Sequence, residues 1–411
     1  MNAVRISAGV SLVLLSLMTL VPEASSLPRM SAASGAPCST CHYSPDGSGL
    51  RTDIGFGTQT DMAVFDYEDL GIGFLDMDTN KVTDWLAVGG DVRIQTARSE
   101  PRLVDDPEVD GGTDVEFPRR VFPMQIEPQI AVLPTDWLTV TGSWTPGPGM
   151  PDGDFCSGVY AGQMCGHAQA IVSPDPSWPT VRAGLFRPHT GVQHDDHTML
   201  VEVDASRSQT SVLPANYAEF GAEAYYQPKH WFRVDAGAFR SDQLAESLAD
   251  PEMVEAGDPA FLGRFSLYPR FDFGSDRSFY GWAGASVYGA GHFRGSGSFR
   301  MDRGFFGLGW LDRGSVMVDV GHLDFATDED RRAFNVSTTL SVEVWDWLIA
   351  EGRLEQATTW HSDDTTDRRR AAVAGLQIYP VPFVKLRPEY RYTRTDDWHS
   401  GQYALQLHLY Y

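Results

Sequence analysis

Five residues near the start of the chain carry the clearest chemical signal: Cys38-Ser39-Thr40-Cys41-His42. Two thiols separated by two residues can form thioethers to the two vinyl groups of one haem, and the histidine that follows directly can then bind the iron. The C-x-x-C-H pattern therefore predicts one covalent haem c, with Cys38 and Cys41 as thioether residues and His42 as an axial ligand.

The same two cysteines allow two other interpretations, a disulfide or half of a zinc site. A disulfide across two intervening residues is usually catalytic and lies in a thioredoxin-like setting, which this sequence lacks. A zinc site needs a second Cys or His pair at a fixed spacing, and none follows. Because the chain has only 4 Cys and 11 His in 411 residues, we favour haem attachment.

The sixth ligand of such a haem stays open. Met62 and Met77 are nearest in sequence, and a Met/His pair would raise the reduction potential. A second group, His189, His194, Asp195, Asp196 and His197, falls within nine positions of the longest predicted loop. These side chains suit a transition metal such as iron, or could supply the sixth ligand. The alternative is a hydrated polar constriction of ordinary hydrogen-bonded histidines.

The remaining cysteines, Cys156 and Cys165, share one long predicted loop. In an oxidising compartment, such a pair is expected to form a disulfide that closes the loop. A second metal site is the alternative.

Residues 1–26 are typical of a secretory signal, with Arg5, an apolar run, and small residues at Ala24-Ser25-Ser26. No other apolar stretch reaches the length of a spanning helix, so we predict none. The chain carries 55 Asp+Glu against 32 Lys+Arg, a net charge of −23, which argues against nucleic acid as a partner. Export agrees with haem c, which is attached outside the cytoplasm.

From Trp85 onward, segments of about ten residues alternate between apolar and polar side chains, which indicates β-strands with unlike faces. In the last segment, Leu405, Leu407 and Leu409 alternate with Gln406 and His408. We predict sixteen strands, near residues 85–97, 119–132, 136–145, 166–173, 179–187, 216–228, 231–241, 260–272, 279–290, 303–311, 315–326, 334–345, 347–361, 371–380, 383–394 and 402–411.

The connections alternate between short turns and long loops, a pattern typical of an outer-membrane barrel. Trp137, Trp178, Trp231 and Trp347 each follow a short turn, where an interfacial aromatic girdle would lie, and the chain ends on Tyr411. We therefore predict an all-β fold, a transmembrane antiparallel outer-membrane β-barrel of 16 strands. The even strand count places both termini in the periplasm. A soluble all-β protein is the alternative.

This organisation divides the chain into a signal peptide at 1–26, a monohaem cytochrome c segment at 27–84 and a porin-like barrel at 85–411. The haem segment is too small to have a substantial core of its own. A barrel of this size encloses an aqueous lumen. We expect the segment to fold into that lumen and plug it.

A secretion signal, one C-x-x-C-H motif and a sixteen-strand porin together resemble the fused monohaem cytochrome–porin family, and Pro37 before the motif also matches its pattern. Members of that family are outer-membrane iron oxidases of Fe(II)-oxidising bacteria. The resemblance implies that extracellular Fe(II) gives one electron to the haem, which passes it to a soluble periplasmic cytochrome. The chain would then be an iron:cytochrome c oxidoreductase embedded in outer-membrane lipid.

Two other functions remain open. The barrel could sheathe a separate multihaem cytochrome, or work outward as a reductase. It could instead be a simple diffusion porin whose haem segment is structural or regulatory.

Overall fold

The computed structural model of the protein describes residues 38–45, 47, 49–58, 63–73, 79–100, 103–104, 120–144, 166–175, 177–192, 199–206, 211–213, 217–248, 253–272, 278–291, 297–310, 313–326 and 331–410. The predicted signal at 1–26 lies outside these residues. No helix in this part of the chain is long and apolar enough to cross a membrane.

Nineteen strands occur in the described ranges, and all but β1, β3 and β11 are long. They are β1 (Lys81–Thr83), β2 (Leu86–Ser99), β3 (Leu103–Val104), β4 (Arg120–Thr135), β5 (Leu138–Trp144), β6 (Gly166–Val172), β7 (Thr180–Phe186), β8 (Glu219–Lys229), β9 (Phe232–Phe239), β10 (Ala260–Leu267), β11 (Arg270–Asp272), β12 (Ser278–Gly291), β13 (Ser298–Trp310), β14 (Gly314–Ala326), β15 (Arg331–Trp345), β16 (Leu348–His361), β17 (Thr366–Val381), β18 (Val384–Thr395) and β19 (Trp398–Tyr410). Two short α-helices, α1 (Asp53–Gly57) and α2 (Asp242–Leu248), and 3₁₀ turns at Cys38–Thr40 and Leu200–Glu202 complete the elements.

The sheet closes on itself. Each long strand is antiparallel to its neighbours, and β19 pairs with β2 from Gln402 opposite Ser99 to Tyr410 opposite Asp91. Closure gives every long strand a partner on each side, so that the backbone donors and acceptors of the wall are satisfied without water. The prediction of an all-β, 16-strand antiparallel barrel is therefore confirmed.

The two faces of the wall differ in polarity as the sequence predicts. Large apolar side chains such as Phe265, Phe306 and Leu354 are exposed on the outside. Charged side chains such as Arg303 and Asp319 are buried on the inside, where they pair with each other. An apolar exterior around a charged interior is the arrangement of a membrane barrel rather than of a soluble protein.

Three of the predicted girdle tryptophans, Trp137, Trp178 and Trp231, are exposed beside the short turns. Trp347 is only partly exposed and stacks on Trp345, with ring centroids 5.2 Å apart. Trp345 is the exposed member of that pair.

The predicted starts of three strands are wrong by several residues. β13 begins at Ser298 rather than near 303, β17 at Thr366 rather than near 371, and β19 at Trp398 rather than near 402. The extra residues of β13 do alternate, but their apolar members, Phe299 and Met301, are buried on the same face as Arg303. The extra residues of β17 and β19 are largely polar, and so lack the apolar alternation on which the prediction rested. They pair through their backbones nonetheless, as Thr366 does with Trp360 and His399 with Arg394. The connections predicted near 362–370 and 395–401 are consequently short.

The long connection between β7 and β8 lies against the inner face of the wall in its described parts. Gly191 N donates to Ser286 Oγ at 2.8 Å, and Leu200 N donates to Glu355 Oε1 at 3.1 Å. Asn335 Nδ2 donates to the carbonyl oxygen of Val203 at 2.8 Å. Glu202 also pairs with buried Arg303. We call residues 187–192, 199–206 and 211–213 the inward segment.

Gly321 on β14 allows the inward segment to lie so close. A Cβ at Gly321 would overlap the carbonyl oxygen of Val201, whereas a Cβ at Gly304 on the neighbouring strand meets nothing within 4 Å.

We expect Gly321→Val to cost roughly 1–3 kcal/mol through overpacking and to detach the inward segment. Limited proteolysis should then cut within 187–213, while Gly304→Val should remain as resistant as the unmodified protein. Equal resistance of both variants would contradict this packing.

Candidate functional site

The C-x-x-C-H motif forms one tight turn. The backbone N–H groups of Cys41 and His42 both donate to the carbonyl oxygen of Cys38, at 3.1 and 3.0 Å. Cys38 and Cys41 are free thiols, so no disulfide joins them. The turn thus presents two thiols and an imidazole within five residues, which is the donor set that covalent haem attachment requires.

A hydrogen bond orients the His42 ring. Its Nδ1 lies 3.3 Å from the carbonyl oxygen of Gly49, which can only accept, so Nδ1 carries the proton. Metal-binding histidines are commonly held in this way, because the bond fixes the tautomer and leaves Nε2 to act as the ligand. The backbone also pairs His42 with Arg51.

Helix α1 packs directly behind the motif. Thr52 N donates to Cys41 O at 3.0 Å, and Thr52 Oγ1 donates to Thr40 O at 2.5 Å. Gly55 sits against Cys41 so closely that a Cβ would overlap its carbonyl oxygen. Thr52 also caps the helix, because its hydroxyl accepts from Gly55 N at 3.3 Å. A short capped helix therefore fixes the backbone of the second cysteine.

Cys41 is partly buried behind α1. Burial raises the pKa of the Cys41 thiol above its ordinary value, although the nearby Arg51 acts in the opposite direction.

The loop that follows the motif contacts the inner wall of the barrel. The Oγ of Ser44 accepts from Gln169 Nε2 on β6 at 3.4 Å, and the carbonyl oxygen of Pro45 accepts from Arg233 Nη1 on β9 at 2.8 Å. Leu50 packs with Ala87 and Ala131 of β2 and β4. These contacts join the loop after the motif to several separate strands of the wall.

The segment is also attached to the end of β17 and to the β17–β18 turn that follows it. Val64 N and Phe65 N donate to the carbonyl oxygens of Tyr379 and Pro380, at 3.0 and 3.1 Å. Phe383 in this turn has a φ of 60°, which is uncommon for a residue with a side chain. Its ring packs on Phe56 of α1, with centroids 4.4 Å apart. The turn thus adopts a costly conformation where it receives the segment.

His189 is the member of the predicted histidine–aspartate group that the structure describes, and it lies near the loop after the motif. It is buried, and its Nδ1 is 2.9 Å from Arg233 Nη2 and 3.4 Å from Asp235 Oδ2. Its backbone N–H donates to Glu223 Oε2 at 3.3 Å. Because Arg233 also binds Pro45, a single guanidinium connects His189 to the loop after the motif.

One ligand atom each from His189, Glu223 and Asp235 lies within 4.8 Å of the others, as a metal site would require. However, Asp235 already accepts from Arg233 at 2.6 Å and from Arg264 at 2.7 Å. Burial, Arg264 and Arg233 lower the pKa of His189 to about 3, so its imidazole is neutral. Since the surrounding guanidinium groups oppose a divalent cation, the geometry favours the polar-constriction interpretation of His189 over an iron site.

The other predicted site residues lie outside the part of the chain that the structure describes. They are the alternative sixth ligands Met62 and Met77, the rest of the histidine–aspartate group (His194, Asp195, Asp196 and His197), and the predicted disulfide residues Cys156 and Cys165. These stay predictions.

The sequence analysis did not identify Arg182, Arg233, Arg264, Glu223 and Asp235 as site residues. Arg182 binds Glu223 at 3.1 Å and completes this buried ion-pair network. The available signal was a pair of charged residues two positions apart on β9, Arg233 and Asp235. That alternation marks a lumen-facing side but does not tell which loop the side chains meet.

The fold resembles that of solved outer-membrane proteins. A loop-deletion mutant of OmpT from Vibrio cholerae superposes with a TM-score of 0.50 and 12% identity, over 79% of this chain and 99% of that one. The outer membrane channel DcaP of Acinetobacter baumannii gives 0.50 and 11% identity, over 81% and 99%. No protein-family model and no curated protein matches the chain. This chain has the porin fold.

Arg233 offers a test of how the motif is held. Arg233→Met would remove the bond to Pro45 and one of the two arginine partners of Asp235, and breaking a buried pair costs roughly 3–5 kcal/mol. Arg303→Met breaks a comparable buried network with Glu202 and Asp319, far from the motif in sequence. We expect both variants to lose stability to urea. Only Arg233→Met should speed hydrogen exchange in 38–58, and equal exchange there in both variants would contradict a link from Arg233 to the motif.

Proposed function

We propose that the protein is an outer-membrane electron-transfer porin, with one covalent haem c held at the short-turn mouth of the barrel. Cys38 and Cys41 would form the thioethers and His42 would be an axial ligand. When bound, the haem would accept one electron and release one electron. The proposal rests on one observation: a single turn presents two free thiols and an oriented histidine, and the loop after it contacts the inner wall.

The motif has the two thiols and the imidazole that a covalent haem needs, and neighbouring residues hold these groups in place. The Nδ1 hydrogen bond to Gly49 fixes the ring of His42, and α1 fixes the carbonyl of Cys41. Gln169 and Arg233 hold the loop that follows the motif. Rigid support of this kind keeps a ligand in one orientation, which lowers the cost of reorganisation during electron transfer.

A position inside the barrel mouth matters because the hydrocarbon layer is about 30 Å thick. A group attached outside the wall would be separated from any donor on the far side by that whole distance. A segment within the lumen, closing it as a plug, would let one partner approach from each end. In line with the family resemblance, we propose Fe(II) as the extracellular donor, a soluble periplasmic cytochrome as the acceptor, and both termini on the periplasmic side.

The fold comparison favours a second candidate, a diffusion porin. The similar solved structures include a protein described as an outer membrane channel. In that case the segment with the motif would narrow the lumen and the barrel would pass small solutes. The two candidates differ in whether the purified protein carries covalent haem.

The test is a visible spectrum of the protein purified from a host that matures c-type cytochromes. We expect covalent haem whose α and β bands sharpen when Fe(II) is added without oxygen. The double variant Cys38→Ala/Cys41→Ala should lose it, whereas the control Ser39→Ala/Thr40→Ala keeps the C-x-x-C-H pattern and should retain it.

Two negative results are possible, and they contradict different parts of the proposal. Haem that dithionite reduces but Fe(II) does not would contradict the proposed donor. Absence of covalent haem from the unmodified chain would overturn the electron-transfer proposal and leave the diffusion porin.

A further inference from the structure

Four apolar side chains on the motif segment are exposed at the rim of the barrel: Ile54, Val64, Phe65 and Leu70. We call them the rim patch. Unlike most exposed apolar residues of the described chain, they do not belong to a strand. Ile54 is on α1, and the other three lie on the piece of chain attached to the β17–β18 turn.

A shared core holds the two pieces of the rim patch together. Phe56 from α1 and Tyr67 from the second piece are both buried against Phe383. Tyr67 also donates its hydroxyl to the carbonyl oxygen of Pro382 at 2.6 Å. Both pieces are therefore fixed to the same turn at the mouth.

Acidic side chains accompany the rim patch. Asp66, Glu68 and Asp69 are exposed and lie between Phe65 and Leu70 in sequence, with no basic residue among them. Asp69 has a structural role, because its Oδ2 accepts from Asp66 N at 3.3 Å. Asp66 and Glu68 thus give a small apolar surface a negative border.

The rim patch lies next to the proposed haem site. Ile54 precedes Gly55, whose Cα rests on the carbonyl of Cys41. One layer of backbone therefore separates an exposed side chain from the second thioether residue. Complexes that exchange electrons are characteristically small and transient, with interfaces below about 1,200 Å². Charge complementarity sets their association rate and orientation.

We propose that the rim patch and its acidic border are the docking site for a basic, soluble electron-carrier protein. This inference rests on the proposed function and specifies where the periplasmic partner binds. The apolar centre would exclude water at the contact, and the carboxylates would attract and orient the carrier.

The test measures binding rather than electron transfer, so that it does not depend on haem. A soluble cytochrome c of high isoelectric point serves as the probe, titrated against the detergent-purified full chain at several ionic strengths. Glu68→Lys should weaken binding about threefold to tenfold at low salt and flatten its salt dependence. The control is Asp136→Lys, which reverses an exposed charge in the β4–β5 turn.

The apolar centre is tested in the same assay. Phe65→Ser should weaken binding at all ionic strengths, because the loss does not depend on charge. The β-barrel signature in circular dichroism confirms that each variant is folded.

The possible outcomes test the docking site and the electron-transfer proposal independently. Equal binding by Glu68→Lys and Asp136→Lys, or unaltered binding by Phe65→Ser, would overturn the docking site whatever the haem content. Binding as expected in a protein that has no haem would support the docking site and contradict the electron-transfer proposal.

Discussion

Closure of the wall by β19 and β2 is the constraint on which the rest of the structure depends. A barrel in lipid must pair every backbone N–H and C=O group within the wall. Once the wall is closed, strict alternation sends every second side chain into the lumen. Several charged side chains there are buried and pair with each other, as Arg303 does with Asp319. Arginines of these ion pairs also contact the inward segment and the loop that follows the motif.

The inner charges therefore have two roles. Arg303 joins the wall to Glu202 of the inward segment, and Arg233 joins the wall to Pro45 beside the motif. Arg233 also contacts His189, so the inward segment and the motif segment meet at one guanidinium. The wall of the barrel therefore fixes the inward segment and the motif segment relative to each other. Such fixed positions are what a single redox centre between two partners would require.

The sequence was sufficient to predict the strands and their closure. Its strands alternate between apolar and charged residues, and short and long connections alternate along the chain. Both patterns are typical of membrane barrels. The sequence was less informative about strand ends. Thr366 and Trp398 begin strands that extend beyond the apolar alternation, since backbone pairing does not depend on the side chain. The motif at Cys38–His42 was also visible in the sequence. Its supports were not, because Gln169, Arg233 and Phe383 are distant in sequence and meet the motif segment only through the curvature of the barrel.

An experimental density map of the purified full-length protein tests the central claim most directly. Our account predicts density for a haem joined to Cys38 and Cys41, with His42 Nε2 on the iron and the loop at Pro45 in contact with Arg233 inside the barrel mouth. A map in which the motif segment carries no haem, or lies outside an open lumen, would contradict the account.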